Sequence, residues 1–337
     1  MDDKLLFVDE FNHLLCEFAK LMKANGKSDD EIVAFFDSEK GKEVGLDLAN
    51  EMIKGLTESL EQYLAEDAVS DKADLEHYKN HIESLWGVGL QWMRNLYSKC
   101  IDICQSYHAY VNASEIHSDK HHVGEALWHL HARATLVYAE VICLLENGYP
   151  DGAYMHYRTL HELWAVATFI NSEPNDVAKA FLDSSNNSTN SADKHYEWAK
   201  LSVRFNNDTY KTINISQIAG IAHELLQQSS NKGVSKNHLK RVYTFPNLLI
   251  HPSVKGVLGR TSENYGNSIT VGRVDTGLVV PAINSSMMYF NITQLHLAFA
   301  PCLISSIGIG ILNEIIGKKL IPAFKEAEKR QKEAQSE

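Results

Sequence analysis

Proline and cysteine are both scarce in this sequence, and the start of the chain has no apolar run. Seven prolines in 337 residues, beside abundant leucine, alanine, glutamate and lysine, favour helices because proline disrupts helix interiors. The five cysteines have no framework spacing, so free thiols in a reducing cytoplasm are expected, and Cys100 and Cys104 are interpreted as packing residues. The start, MDDKLLFVDEF, lacks the features of a signal peptide, which also predicts a cytoplasmic protein.

The motifs of several large enzyme classes are missing. The sequence has no Walker loop, no GxGxxG and no GxSxG, so P-loop enzymes, dinucleotide-dependent dehydrogenases and α/β-hydrolases are not supported, and no cofactor is expected. The apolar run at 297–312 is shorter than the roughly 20 residues of a membrane span. It also contains Pro301. It predicts a buried core helix or a dimer helix, and no membrane association is expected.

Five histidines fall within a short stretch: His117, His121, His122, His129 and His131. Four-residue spacing of the first two would suit a metal if the stretch were helical, but the residues between them resemble a loop. His129 and His131 point in different directions on a helix because they are two residues apart. No HExxH or Cys/His zinc spacing is present. The interpretation is a histidine-rich helix start, and no metal is expected.

Negative charge is concentrated in the first third of the chain. Residues 1–100 hold 21 Asp and Glu against 11 Lys and Arg, a net charge of −10, out of −11 for the whole chain. Such a region repels nucleic acid, so any RNA substrate must contact the C-terminal core. The acidic region is interpreted as a solvated helix face that offers a surface to a protein partner or a second copy.

Helical signals dominate the rest of the sequence and predict an all-α helical bundle. Ser28 followed by Glu31 is a capping box, and Gly148 marks a helix end. The expected helices are 3–24, 46–66, 74–112, 123–146, 153–170 and 284–316, with loops at 66–76 and 183–195. A segment rich in Gly, Val and Thr near 254–284 predicts a small β-hairpin insertion, with its turn around Asp275–Gly277. We expect an acidic helical N-terminal region at 1–110 and a helical core at 111–337.

The helix AYMHYRTLHELWAVATFI is apolar on almost all sides but carries Arg158 and Glu162 one turn apart. Three interpretations are open. The two side chains form a surface ion pair of a few tenths of a kcal/mol, a buried structural pair, or part of a functional site, because buried charges need partners.

The segment YTFPNLLIHPS places Tyr243, Asn247 and His251 at intervals of four, so they share one face of a helix. Pro252 ends that helix. One interpretation is a histidine whose charged form is stabilised by the helix dipole. The other is a polar row that faces Arg158 and Glu162 and supplies a general acid/base, an amide donor and a cation for phosphate.

Three segments together, LLENGYPDGAYMHYRTLHELWAVATFI, HYEWAK and YTFPNLLIHPS, resemble a bacterial family of unknown function. Its pattern is Leu-Leu-x-x-Gly, Arg-x-x-x-Glu and a late His-Pro-Ser, and the resemblance covers about residues 125–315. Such families are similar to the HEPN superfamily of helical bundles, many of which are dimeric ribonucleases in toxin and antiphage systems.

The resemblance implies a homo-oligomeric, metal-independent ribonuclease. In it, His251 is the acid/base, Arg158 holds the phosphate, and Glu162 and Asn247 orient them, with Tyr243 in the same row. The sequence departs from the superfamily because no arginine shortly precedes His251, so Arg158 must take that place from another helix. The alternative is a non-enzymatic helical module that binds a protein or a nucleotide.

Overall fold

A computed structural model describes residues 6–113, 119–184, 195–205, 212–229, 261–262, 268–269 and 273–336. These residues are predominantly helical, which confirms the predicted all-α class. Their α-helices are α1 (Leu6–Ala24), α2 (Asp29–Asp37), α3 (Glu39–Ala113), α4 (His121–Glu146), α5 (Pro150–Ser172), α6 (Asn175–Asp183), α7 (Ile215–Ser229), α8 (Val279–Ala298), α9 (Leu303–Glu314) and α10 (Ile321–Ser336). A 3₁₀ turn at Glu197–Leu201 and a π-helical turn at Ile315–Leu320 complete the helical elements.

The chain divides into two compact units, Met1–His77 and Tyr78–Glu337. The sequence suggested a division at residue 110. The difference arises because the second half of α3, from Ile82 to Tyr107, places a row of buried side chains in the core of the larger unit.

The predicted loop at 66–76 is wrong, because α3 continues through it. That stretch is polar, but it has no glycine or proline and is composed largely of residues compatible with a helix. Polarity alone did not distinguish a solvated helix from a loop.

The smaller unit shows the predicted helix start at Ser28. Its hydroxyl accepts a hydrogen bond from the Glu31 N–H, and the Glu31 carboxylate accepts one from the Ser28 N–H, so the capping box is confirmed. Next to this cap, Phe18 of α1 packs against Phe35 of α2 with ring centroids 6.0 Å apart.

The larger unit has two adjoining apolar clusters. The first combines α3, α4, α5, α8 and α10, and the second combines α4, α5, α6, the 3₁₀ turn and the beginning of α7. In the first, the rings of Trp86 and Phe324 stack with centroids 6.1 Å apart. Gly89 permits this packing, since a Cβ there would lie 2.9 Å from the Phe324 ring. Helix α5, which carries Arg158 and Glu162, contributes buried side chains to both clusters.

Helix α4 ends as the sequence predicts, with Gly148 just beyond it at φ +76°. Hydrogen bonds connect this turn to a segment that is distant in sequence. The Val274 N–H donates to the Gly148 carbonyl at 3.0 Å, and the Tyr78 hydroxyl donates to the Val274 carbonyl at 2.7 Å.

The predicted hairpin turn around Asp275–Gly277 is wrong, because the chain continues into α8 at Val279 and does not return as a strand. Contacts distant in sequence hold this turn, since Trp86 Nε1 and Gln331 Nε2 both donate to the Asp275 carbonyl at 3.0 Å. Within the described part of the insertion, Thr261–Ser262 pairs antiparallel with Ser268–Ile269. Most of the remainder of 254–272 lies outside the described residues.

The helix predicted at 284–316 is two helices, α8 and α9, separated around Pro301. Proline has no N–H to donate and disfavours helical geometry in the residue before it, so the break follows from the sequence. Cys302 then caps α9, since its sulfur accepts from the Ser305 N–H at 3.4 Å. No helix among the described residues is both long enough and apolar enough to cross a membrane.

Candidate functional site

The predicted pair of charges on α5 is present as an ion pair. Arg158 Nε donates to Glu162 Oε1 at 2.9 Å, and the two side chains are 31% and 27% exposed. The exposure of the two side chains is intermediate between that of a surface ion pair and that of a buried one. Because α5 packs against α4, α7 and α8, the two charges occupy the part of the helix that still reaches solvent. The carboxylate holds the guanidinium in a fixed orientation, as a phosphate-binding site requires.

The other three sequence-predicted site residues, Tyr243, Asn247 and His251, lie outside the described residues. Their row opposite α5 stays a prediction. Of the five candidates, Arg158 and Glu162 are described by the structure, and they lie in direct contact.

A pair of histidines that sequence reasoning missed lies on the same helix. His161, in the turn between Arg158 and Glu162, meets His223 of α7 with the two Nε2 atoms 3.0 Å apart. Both residues are buried, at 2% and 8% exposure. One ring must donate and the other accept, so the two cannot both be charged.

Burial, reinforced by the neighbouring His223, lowers the pKa of His161 to about 3. The Trp164 ring lies 5.4 Å from each imidazole and covers the pair. Trp164 also lines a cavity of about 430 Å³, whose polar groups are amides and hydroxyls of α5 and α8. The one sequence signal for His223 is its position in an apolar stripe of α7, beside buried Ile218 and Ala222.

A second buried group lies between α3, α4 and α8. His131 is 3% exposed, its Nε2 lies 3.6 Å from Cys104 Sγ, and its ring stacks on His296 at a centroid distance of 5.7 Å. His129 is exposed, so the predicted divergence of His129 and His131 is confirmed.

The two cysteines of α3 lie in the apolar core, as interpreted from their spacing. Burial raises the pKa of Cys100 to about 12 and raises that of Cys104 as well, so neither is a thiolate at neutral pH. Across the described ranges, no three His, Cys, Asp or Glu side chains are grouped so that they could hold a metal ion.

Comparison with known proteins gives one match. Residues 124–267 match a family of unknown function, DUF5677. The predicted resemblance to an uncharacterised family is thus supported, over a shorter range than expected, and this range contains all five candidate residues. No curated protein matches the chain. Comparison with solved structures also finds no match.

Proposed function

We propose that this protein is a HEPN-like effector of the toxin or antiphage type that cleaves RNA without a metal ion, with Arg158 at its centre. The observation that carries the proposal is the Arg158–Glu162 ion pair, 2.9 Å long and about 30% exposed, on a helix that packs against α4, α7 and α8. The family match supports the location, since 124–267 includes this pair and the Tyr243–His251 segment and excludes the acidic N-terminal region.

The chemistry assigns one task to each candidate side chain. His251 removes the proton of a ribose 2′-hydroxyl, and the 2′-oxygen attacks the adjacent phosphorus. The bond from phosphorus to the 5′-oxygen breaks, and that oxygen receives a proton from the acid form of the histidine. The products are a 2′,3′-cyclic phosphate and a free 5′-hydroxyl. Histidine suits both proton transfers because its ordinary pKa is near neutrality.

Arg158 stabilises the negative charge that develops on the phosphate oxygens, and Glu162 holds its guanidinium in place. Asn247 and Tyr243 supply hydrogen bonds that orient the phosphate and the histidine. No step uses the His161–His223 pair, whose burial suits a structural role.

The test measures cleavage of a labelled single-stranded RNA in the presence of a chelator. Arg158→Ala is expected to lower the rate by about a hundredfold or more, the range found when one charge-stabilising group is removed. His251→Ala is expected to abolish cleavage while changing the melting temperature little. The matched control is Arg133→Ala, which removes an exposed arginine from α4. No cleavage by the wild-type protein, or cleavage indifferent to Arg158→Ala, would exclude the proposal.

A second candidate function is a non-enzymatic module that binds a protein. One observation favours it. Helix α9 exposes Leu303, Ile307 and Ile311, which are 75%, 54% and 43% exposed and four residues apart. A row of apolar side chains on one helix face is typical of a surface that another helix covers. The two candidates differ in the RNA assay, since only the first loses an activity with Arg158→Ala.

A further inference from the structure

A second, smaller cavity lies in the larger unit, among the end of α3, the beginning of α4 and the end of α8. Its volume is about 250 Å³. The described lining includes six rings, those of Tyr107, His108, His121, Trp128, His296 and Phe299. Its polar groups are the Tyr107 hydroxyl, Asn112, Glu125 and the three imidazoles. Arg158 and Glu162 are not among the described lining residues, and the inference drawn from this cavity does not require RNA cleavage.

His296 is the unusual member of this lining. It is 4% exposed, and among the described residues neither of its ring nitrogens has a hydrogen-bonding partner. A buried polar group without a partner costs about 1–3 kcal/mol. Such groups are rare in folded proteins, and each one calls for a physical explanation, such as a bound molecule that satisfies it. A bound ligand in the cavity would remove this cost.

The protonation state of His296 restricts what that molecule is. Burial lowers the pKa of His296 to about 3, and the nearby His131 and His108 lower it further in the same direction. The ring is therefore neutral at physiological pH, with one nitrogen that donates and one that accepts. A neutral ring does not attract anions. It matches an uncharged partner that offers a hydrogen-bond donor or acceptor, and a nitrogen heterocycle supplies such groups within a flat ring.

The walls favour a flat ring. His108 and Trp128 stack at 4.7 Å with an interplanar angle of 17°, and the rings of Trp128 and Tyr107 each lie 5.2 Å from His296. Aromatic rings pack best against other rings in offset or edge-to-face geometry. Glu125 is the one carboxylate of the lining, and no Lys or Arg is among the described lining residues. A phosphate or carboxylate group on the ligand would meet no lysine or arginine among these described residues.

We propose that this cavity binds a small, uncharged nitrogen heteroaromatic of nucleobase size, hydrogen-bonded to a ring nitrogen of His296 and packed against Trp128. The flat walls select the shape of the ligand. The imidazole selects for a hydrogen-bonding ring over a hydrocarbon one, and the lack of lysine and arginine among the described lining residues disfavours a phosphorylated form.

The test uses two probes of the same shape in titration calorimetry at neutral pH. Benzimidazole has two ring nitrogens, whereas indene has none. Wild-type protein is expected to bind benzimidazole about tenfold more tightly than indene, and adenine about tenfold more tightly than its 5′-monophosphate. In His296→Phe, which keeps a ring but removes both nitrogens, the preference for benzimidazole should disappear. The control, His129→Phe, changes an exposed histidine of α4 outside the lining and should leave the preference intact.

A second variant decides the matter if His296→Phe does not fold. Asn112 is exposed at the end of α3 and lines the cavity, so Asn112→Phe places a ring at the opening without disturbing the core. This variant should melt like the wild type and bind none of the probes. The proposal is overturned if no probe binds at about 1 mM, if benzimidazole and indene bind equally, or if Asn112→Phe binds as the wild type does.

Discussion

Three buried histidines make the stability of this protein dependent on pH. Burial lowers the pKa of His131 to about 4 and the pKa values of His161 and His296 to about 3, against about 6.5 in an unfolded chain. Between these values the unfolded state binds more protons than the folded state. The stabilisation is therefore complete above about pH 6.5 and is lost as the pH falls toward 3 to 4.

We predict that the free energy of unfolding falls by about 1.4 kcal/mol per pH unit for each of these histidines near pH 5. Urea unfolding of the wild type at several pH values between 5 and 7 measures the total slope. His296→Phe should reduce that slope by the contribution of one histidine, while His129→Phe should not change it. An identical slope in wild type and His296→Phe would mean that the pKa of His296 is the same in the folded and unfolded states.

At the scale of single elements, the turn from α4 to α5 depends on Gly148. Its φ of +76° disfavours any residue with a Cβ, and an added Cβ would collide with the Tyr78 hydroxyl. That hydroxyl in turn holds Val274, which precedes the turn into α8. A change at one glycine therefore disturbs both α5 and the approach to α8.

We predict that Gly148→Ala destabilises the protein by about 2 kcal/mol or more, from backbone strain plus the displaced tyrosine. Gly220→Ala is the matched control, because Gly220 lies inside α7 with open space around the missing Cβ. It should stabilise the protein by up to about 1 kcal/mol. Thermal and urea unfolding of the two variants measure these effects. Equal effects of the same sign would contradict the role assigned to Gly148.

Local signals explain which elements could be predicted from the sequence. The Ser28 cap, the stop at Gly148 and the pairing of Arg158 with Glu162 depend on residues at most four apart, and the structure shows all three. The turn at Asp275 was mistaken for a hairpin because the groups that hold it, from Trp86 and Gln331, are 189 and 56 residues away.

The same limit applies to the candidate sites. His161 and His223 are 62 residues apart and meet only after α5 and α7 pack, so no spacing in the sequence reveals them. In the sequence, His296 simply precedes the apolar run at 297–312. Its importance comes from the cavity and from the lack of a partner among the described residues, which a sequence does not display.

At the scale of the whole molecule, the acidic charge and the compact units follow different boundaries. Residues 1–100 carry a net charge of −10, yet the smaller unit ends at His77. We predict that deleting residues 1–66 changes the oligomeric state or the binding of a protein partner, because this region has the charge for protein contacts and repels nucleic acid. Light scattering and affinity purification of the full-length and truncated proteins measure both. If both are unchanged, the region has no role in association.

The last prediction concerns self-association through α9. Its apolar row, Leu303, Ile307 and Ile311, is exposed, and the exposed Gly310 beside it has open space where a side chain would be. Small residues between apolar ones let two helices approach closely, and a second copy of the chain would cover an identical row with its own.

We therefore expect a homodimer in the wild type and a monomer after Ile307→Glu, because a charge cannot be buried in an apolar interface without a partner. Val88→Glu is the control, since Val88 is 62% exposed on α3 and is not part of the row. Mass measurement by light scattering across a range of protein concentrations separates the two variants. A monomeric wild type would assign the exposed row to a different partner and would favour the non-enzymatic module over the dimeric ribonuclease. A dimer that survives Ile307→Glu would mean that the dimer interface does not include α9.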